Sequence, residues 1–123
     1  MMEVCEAYRN TQVTSARPEN LVVMVYNGAI RFIKGGCEAI QEGDYEQAGT
    51  MFTKAQDIVV ELRASLNSEA GSVADNLDAL YEYIQDQLIK ANVKKDEAYA
   101  RNALEIMEGL HEAWVEAVRM TGR

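Results

Sequence analysis

The sequence has a single proline, Pro18, among its 123 residues. Because proline interrupts helix interiors and β-branched residues do not dominate the composition, an all-helical chain is favoured from the outset. Hydrophobic residues make up 48% of the chain and charged residues 26%, which is typical of a folded protein rather than a disordered one. At this length, one domain can bury a single core without disulfides or a metal ion.

Cysteine and histidine are too scarce for a metal site or a redox motif. Cys5 and Cys37 lie far apart, and neither has a second cysteine near it. Glu108 and His111 spell the Glu-x-x-His of di-iron bundles, but that centre needs two such pairs and two further glutamates, and the chain has one histidine. We therefore expect no metal and no cofactor. We expect Cys37 to be a buried apolar side chain and His111 to lie at the surface or boundary.

Catalytic motifs are also missing. There is no glycine-rich phosphate loop and no Gly-x-Ser-x-Gly sequence, and nothing marks a serine or cysteine as a partner of His111. Pairs of helical carboxylates such as Glu82 and Asp86 are abundant, but in a chain of net charge −8 we expect them to form a solvated face. The sequence therefore predicts that the protein is not an enzyme, and a metalloenzyme is the most distant alternative.

Clustered positive charge and long apolar runs are lacking as well. The net charge of −8 argues against nucleic-acid binding and against a basic helix on a membrane surface. The longest apolar run, residues 21–30, is interrupted by Asn27 and is far shorter than the roughly 20 residues that span a bilayer. The first residues have neither the positive nor the apolar region of a secretory signal. We therefore expect no membrane insertion and a cytoplasmic location.

What the sequence does contain is helical periodicity. Asp44 and Asp96 are placed to cap the second and fourth of the predicted helices. Amphipathic helices joined by short turns predict an all-α fold, an antiparallel four-helix bundle over residues 18–121. Residues 1–17 have weak periodicity and are expected to form a flexible N-terminal tail, extended or with a short cap helix. The four predicted helices span about 18–42, 44–67, 72–92 and 96–120.

The first predicted helix carries more apolar surface than a small core needs. It fits between Pro18, which suits a first helical turn, and Gly43, which suits a C-terminal stop. Its apolar side chains sweep about 180° of the helix surface, whereas a helix packed on a small core needs a stripe nearer 100° wide. The surplus indicates either a central helix or an apolar arc that awaits a partner. Gly35 and Gly36 mark a site of bending or local weakness.

The second and fourth helices carry apolar rows beside their main seams. The seam of the second helix begins at Tyr45 and repeats at steps of three and four, with Met51 and Ile58 beside it. In the fourth helix, Met107 and Trp114 belong to a neighbouring row. Two interpretations stay open: these side chains fill one generous core, or they form a surface for a partner helix, to which flexible methionines are suited.

Several segments follow one another in an order that is known from one protein family. They are Pro-Glu-Asn-Leu-Val-Val-Met-Val-Tyr-Asn-Gly-Ala-Ile-Arg-Phe-Ile (18–33), Lys-Ala-Gln-Asp-Ile-Val-Val-Glu-Leu (54–62), Ser-Leu-Asn (65–67), Asn-Leu-Asp-Ala-Leu-Tyr-Glu-Tyr (76–83), Leu-Ile-Lys-Ala-Asn (88–92) with Asp96, and Trp114, preceded by a tail tyrosine, Tyr8. Together they resemble the FliS family of flagellar secretion chaperones over nearly the whole chain. The departures are mild. The family often has Leu-Tyr-Asp-Gly where this chain has Val-Tyr-Asn-Gly (25–28), and Gly35-Gly36 stands where helix formers are commoner.

The resemblance implies a cytosolic chaperone dedicated to flagellin. Such a protein binds the disordered C-terminal segment of flagellin, prevents its premature polymerisation and assists its delivery to the flagellar type III export gate. The segment forms an amphipathic helix, which would lay its apolar face into grooves between the chaperone's helices. The alternatives are a helical adaptor that binds an amphipathic helix of another client or regulator, and a structural bundle that associates weakly with itself.

The candidate residues for the client follow from the apolar rows, and the tail residue follows from the apolar residues of the tail and from the resemblance. Tyr8 is expected to cover an apolar surface in the free protein or to contact the export gate. The candidates for the client-binding groove are Val22, Tyr26, Ile30, Ile33, Met51, Ile58, Met107 and Trp114.

Overall fold

The computed structural model describes residues 18–121, and within them the side chains of residues 20–120. Each of the four helices packs mainly against two of the others. The expected all-α four-helix bundle is confirmed, while the predicted tail, residues 1–17, lies outside the described residues. The helices are α1 (Pro18–Gln41), α2 (Tyr45–Ala64), α3 (Ser72–Lys94) and α4 (Glu97–Thr121), with a short 3-10 turn (Ser68–Ala70) between α2 and α3.

Neighbouring helices run antiparallel. A Cβ added to Gly28 would lie 3.5 Å from the Cδ1 atom of Ile58, and one added to Gly35 would lie 3.1 Å from the Sδ atom of Met51. Residue numbers therefore rise along α1 as they fall along the facing side of α2. The short connections between the helices impose this arrangement, because a few residues can join only adjacent helix ends.

Local chemistry sets the turn between α1 and α2. Gly43 has a φ of 77°, and its backbone N–H donates to the carbonyl of Ile40 over 3.0 Å. This left-handed conformation suits glycine, which has no Cβ to clash with the carbonyl. The side chain of Asp44 then accepts the backbone N–H of Gln47 at 3.1 Å, which confirms it as the N-cap of α2. Asp96 likewise accepts a backbone N–H at the start of α4, at 2.9 Å.

The α2 helix ends at Ala64, before the bound at residue 67 that its periodicity suggests. Asn67 has an extended backbone, and its side chain accepts the N–H of Glu69 at 3.1 Å. Asn67 therefore starts the 3-10 turn instead of extending the helix, since an asparagine side chain competes for backbone N–H groups.

Gly35 and Gly36 of α1 allow close packing against α2. The helix runs without a break through Gly35 and Gly36, where the sequence suggests a bend or weakness. A Cβ on Gly36 would lie 2.3 Å from Cε1 of Phe52, so the Phe52 ring occupies the space a side chain would need. Because there is no Cβ at these positions, side chains of α2 pack directly on the backbone of α1.

The core contains large aromatic side chains from all four helices. Tyr26, Phe52, Tyr81 and Trp114 are fully buried. The hydroxyl groups of Tyr26 and Tyr81 are 2.6 Å apart and hydrogen-bonded, joining α1 to α3 across the bundle. The Tyr26 and Trp114 rings meet edge to face, with centroids 6.5 Å apart. Cys37 is buried among apolar side chains, as expected.

Candidate functional site

Most of the predicted groove residues lie in the core. They pack between helices, so a partner does not reach these side chains while the helices keep this arrangement. In this structure these residues therefore fill one core, which is the first of the two interpretations left open by the sequence. Their contact with a client stays a prediction, and it requires the helices to separate. The six are Val22, Tyr26, Ile30, Ile33, Met107 and Trp114, which are between 0% and 8% exposed.

The wide apolar arc of α1 has a geometric reason. A helix at one corner of a four-helix ring contacts two neighbours, and α1 contacts both α2 and α4. Two contact faces, together with the core face between them, need a broader arc than the single stripe of a helix on a flat core. The periodicity of the sequence indicates how wide the apolar arc is, but it does not indicate how many neighbouring helices pack against that arc.

Met51 and Ile58, the remaining two predicted groove residues, lie at the surface where α2 meets α1. Both side chains are half-buried. Ile58 packs over Gly28, and Met51 packs over Gly35. Since neither glycine has a side chain, the two α2 residues lie on the α1 backbone with one side toward solvent.

Three side chains of α1 extend this apolar surface. Met24 is 66% exposed, and Val25 and Phe32 are half-buried. Val25 and Phe32 alternate with the two glycines at steps of three and four, which places all four on one helix face. We call the surface formed by Met24, Val25, Phe32, Met51 and Ile58 the α1–α2 stripe.

Two cations lie near the centre of the stripe. Lys54 lies between Met51 and Ile58 on the same row of α2, and its Nζ atom is 5.5 Å from the centroid of the Phe32 ring. Arg31 is exposed on the outer row of α1. Within residues 20–120 neither cation has a carboxylate partner. By contrast, ion pairs to carboxylates occupy Lys34, Arg63, Lys90, Arg101 and Arg119.

A second group of exposed apolar side chains was not selected from the sequence. Tyr45 is 54% exposed although it begins the predicted seam, because it is the first residue of α2 and lies beyond the packed turns. Val93 is 77% exposed, and Val60 and Ile89 are also exposed. For Val60, Ile89 and Val93 the available signal was a position off the buried rows of α2 and α3, and Ile89 and Val93 lie four residues apart on one face of α3.

The described residues hold no arrangement for metal chemistry. Over residues 18–121, no group of three or more His, Cys, Asp or Glu side chains converges as a metal site. His111 lies inside α4 and is half-buried, at the boundary between core and surface. Its Nε2 atom has no hydrogen-bond partner among the described residues. None of the helices within the same range has the length and apolar content needed to cross a membrane. Tyr8, the predicted tail contact, lies outside the described residues.

Comparison with known proteins gives consistent matches along the chain. The family model described as "Flagellar protein FliS" matches residues 1–121. The flagellar secretion chaperone FliS of Bacillus subtilis (strain 168) is 31% identical over 113 residues, which cover 92% of this chain and 84% of that protein. The protein of the same name from Vibrio cholerae is 35% identical over 106 residues, which cover 85% of this chain and 78% of its own length.

A solved structure has the same fold. The crystal structure of a flagellar chaperone from bacteria superposes with a TM-score of 0.79 at 18% sequence identity. The match covers 96% of this chain and 97% of that one. At this level of identity the likeness concerns the arrangement of helices.

Proposed function

This chain belongs to the FliS family of flagellar secretion chaperones, and from that premise we propose that it binds the disordered C-terminal segment of flagellin in the cytoplasm. In this proposal it prevents premature polymerisation of flagellin and assists delivery to the flagellar type III export gate. The family is one of chaperones and not of enzymes, so binding alone accounts for its activity.

The α1–α2 stripe is the observation that carries the proposal. It is an apolar surface along the contact between α1 and α2. Because Gly28 and Gly35 have no side chains, Ile58 and Met51 lie directly on the α1 backbone there. An amphipathic helix laid along this seam would bury these side chains, and such burial stabilises a complex by roughly 25 cal/mol per Å² before ordering costs are subtracted.

Exposed apolar side chains beyond the stripe support an extended mode of binding. Val60 on α2, Val93 on α3 and Met120 on α4 are all exposed. A disordered segment that wraps the bundle would gain many modest contacts of this kind and lose entropy as it becomes ordered. A flagellin segment held in this way is unavailable for contacts with other flagellin copies, which is how binding would prevent polymerisation.

Co-elution by size exclusion tests the proposal. Flagellin from the same organism is expected to form a one-to-one complex with this protein, and flagellin that lacks its C-terminal segment is expected to elute separately. Equal binding of both flagellins would place the client site elsewhere in flagellin. Binding of neither would favour an adaptor that serves another client.

Substitutions in the stripe test its location. Met51→Asp and Ile58→Asp are expected to weaken flagellin binding while the helices stay folded, because both side chains are partly exposed. Thr53→Asp is the matched control, since Thr53 is exposed on the same helix but lies outside the stripe. If both stripe variants bind flagellin as tightly as the control does, the client lies on another face.

The covering role of Tyr8 is proposed from the apolar residues of the tail, and its contact with the export gate is proposed from the family resemblance. We expect the tail to cover an apolar surface in the free protein, to move when flagellin binds, and to contact the export gate. Deletion of residues 1–15 is expected to change flagellin affinity or gate binding. If both are unchanged, Tyr8 has neither role.

A further inference from the structure

Lys54 occupies the middle of the α1–α2 stripe. Its Nζ atom is 5.5 Å from the centroid of the Phe32 ring, within the roughly 6 Å over which a cation is attracted to an aromatic face. The side chain therefore crosses from α2 to α1, with Ile58 on one side and Met51 on the other. The Phe32 side chain itself is half-buried between the two helices.

The charged side chains near the centre of the stripe are positive. Lys54 and Arg31 lie near its centre and have no carboxylate partner within residues 20–120. Glu61 lies on the row of α2 that contains Lys54, seven residues further along the helix and so toward one end of the stripe. In a chain of net charge −8, this unpaired positive centre on an apolar surface is complementary to an acidic partner.

We infer that the α1–α2 stripe binds an amphipathic helix that presents a carboxylate to Lys54, and that Lys54 leaves the Phe32 ring as this helix binds. The inference rests on the proposed function, because the helix is taken to be part of the client's C-terminal segment. Its acidic residue lies beside the apolar face of the helix, where it meets Lys54 at the seam.

The exchange of partners by Lys54 is favourable on simple grounds. A cation over an aromatic ring at an exposed site is a weak interaction, whereas an ammonium–carboxylate hydrogen bond at a partly dry interface is stronger. The Phe32 ring that Lys54 uncovers is then buried by apolar side chains of the client. A helix with a lysine or arginine at the same place is rejected, because like charges would meet without water between them.

The chain contains a matched control for Lys54. The Nζ atom of Lys94 lies 5.5 Å from the centroid of the Tyr99 ring, the same distance as in the Lys54–Phe32 pair. Lys94 is exposed near the end of α3 and is not part of the stripe. Lys54→Glu and Lys94→Glu therefore make the same change in net charge and remove the same kind of contact at two different places.

Calorimetric titration with a synthetic peptide of the flagellin C-terminal segment, at low and at high salt, tests the inference. Lys54→Glu is expected to weaken binding about tenfold and to reduce its salt dependence, and Lys94→Glu to stay within about twofold of wild type. Replacing the peptide's acidic residues one at a time by lysine is expected to reveal one peptide that restores binding to the Lys54→Glu variant. Lys54→Gln, which removes the positive charge without adding a negative one, is expected to show a smaller loss.

Three results would overturn the inference. Equal weakening by Lys54→Glu and Lys94→Glu would attribute the effect to net charge alone. Wild-type affinity in the Lys54→Glu and Lys54→Gln variants would remove Lys54 from recognition and leave the proposed function intact. No binding by the wild-type protein would overturn both. Circular dichroism and thermal melting of each variant establish that the bundle is folded, and Lys54→Gln carries the test if Lys54→Glu does not fold.

Discussion

Gly36 determines how closely α1 and α2 approach. Gly36→Ala would place a Cβ 2.3 Å from an atom of the Phe52 ring, and a buried aromatic ring has little room to move. We expect this variant to lose about 1–3 kcal/mol of unfolding free energy, the usual cost of overpacking a core. Urea denaturation followed by circular dichroism measures the change.

Gly109 provides the control for this experiment. It lies in α4, and a Cβ added there would meet nothing within 4 Å. Gly109→Ala is therefore expected to stabilise the protein by about 0.5–1 kcal/mol, because alanine loses less conformational freedom in a helix than glycine does. If both variants stabilise the protein, helix propensity rather than the Phe52 contact governs the effect at Gly36.

The hydroxyl pair of Tyr26 and Tyr81 predicts an alkaline loss of stability. Burial raises the pKa of Tyr26 to about 12 from an ordinary value of 10.0, and the hydrogen bond with Tyr81 acts in the opposite direction. Below pH 10 the phenol keeps its proton in both states and this contribution to stability is fully present. Between pH 10 and 12 the unfolded chain loses the proton while the native protein keeps it, so stability falls by about 3 kcal/mol in total.

Tyr26→Phe isolates this effect from the ionisation of the other tyrosines. At neutral pH the variant is expected to lose about 1–3 kcal/mol, since the buried hydroxyl of Tyr81 loses this hydrogen bond. Because phenylalanine does not ionise, the difference in unfolding free energy between wild type and variant is expected to shrink from pH 10 to pH 12. Parallel stability curves over this range would contradict the raised pKa.

Trp114 reports whether a client reaches the core. It is the only tryptophan in the chain and is fully buried in this structure. If the client binds the α1–α2 stripe with the helices in place, the fluorescence emission maximum of Trp114 is expected to stay unchanged on addition of a tryptophan-free client peptide. A shift to longer wavelength would show that Trp114 becomes exposed, and it would support client contact by the buried candidates.

Residue roles in the groove were the hardest feature to predict from sequence. The apolar rows of Tyr26 and of Met51 have the same helical periodicity, yet the first is buried and the second is half-exposed. The difference arises because α1 occupies a corner of the ring and because Gly28 and Gly35 place α2 side chains on its surface. Both causes depend on which helices become neighbours, and that information lies in tertiary packing.

At the scale of one element, the cap of α2 makes a measurable contribution. Asp44→Ala would leave the N–H of Gln47 without its side-chain acceptor. The expected loss is about 1 kcal/mol, which is usual for removal of an N-cap. Asp57→Ala is the control. Asp57 is exposed in the middle of α2, so this substitution removes the same charge without removing a cap. A comparable loss in both variants would assign the effect to charge.

Helices were largely predictable because their signals are local. Gly43 and Asp44 mark a stop and a start through backbone conformation and side-chain hydrogen bonding, and both act within a few residues. The end of α2 was less clear from sequence because Leu66 continues the apolar seam after the helix has ended at Ala64. There Leu66 still packs against the core, so burial alone does not require helical backbone.

At the scale of the whole molecule, the bundle combines a complete core with apolar surface left in contact with solvent. The aromatic residues of the core are fully buried, and the α1–α2 stripe together with the exposed residues of α3 and α4 is the surface on which we propose that a client binds. A chaperone that must release its client benefits from many modest contacts, because each can be lost in turn. Association of two copies through the stripe is the alternative use of such a surface, and a mass that increases with protein concentration would identify it.

The most direct test of the central claim is calorimetric titration of the full chain with the C-terminal segment of flagellin from the same organism, at several temperatures. The account predicts tight one-to-one binding with a strongly negative heat-capacity change, because apolar surface on both partners leaves water as the segment folds onto the bundle. The absence of heat at every temperature, together with no shift in size exclusion, would contradict a flagellin chaperone and leave an intact helical bundle whose client is a different protein.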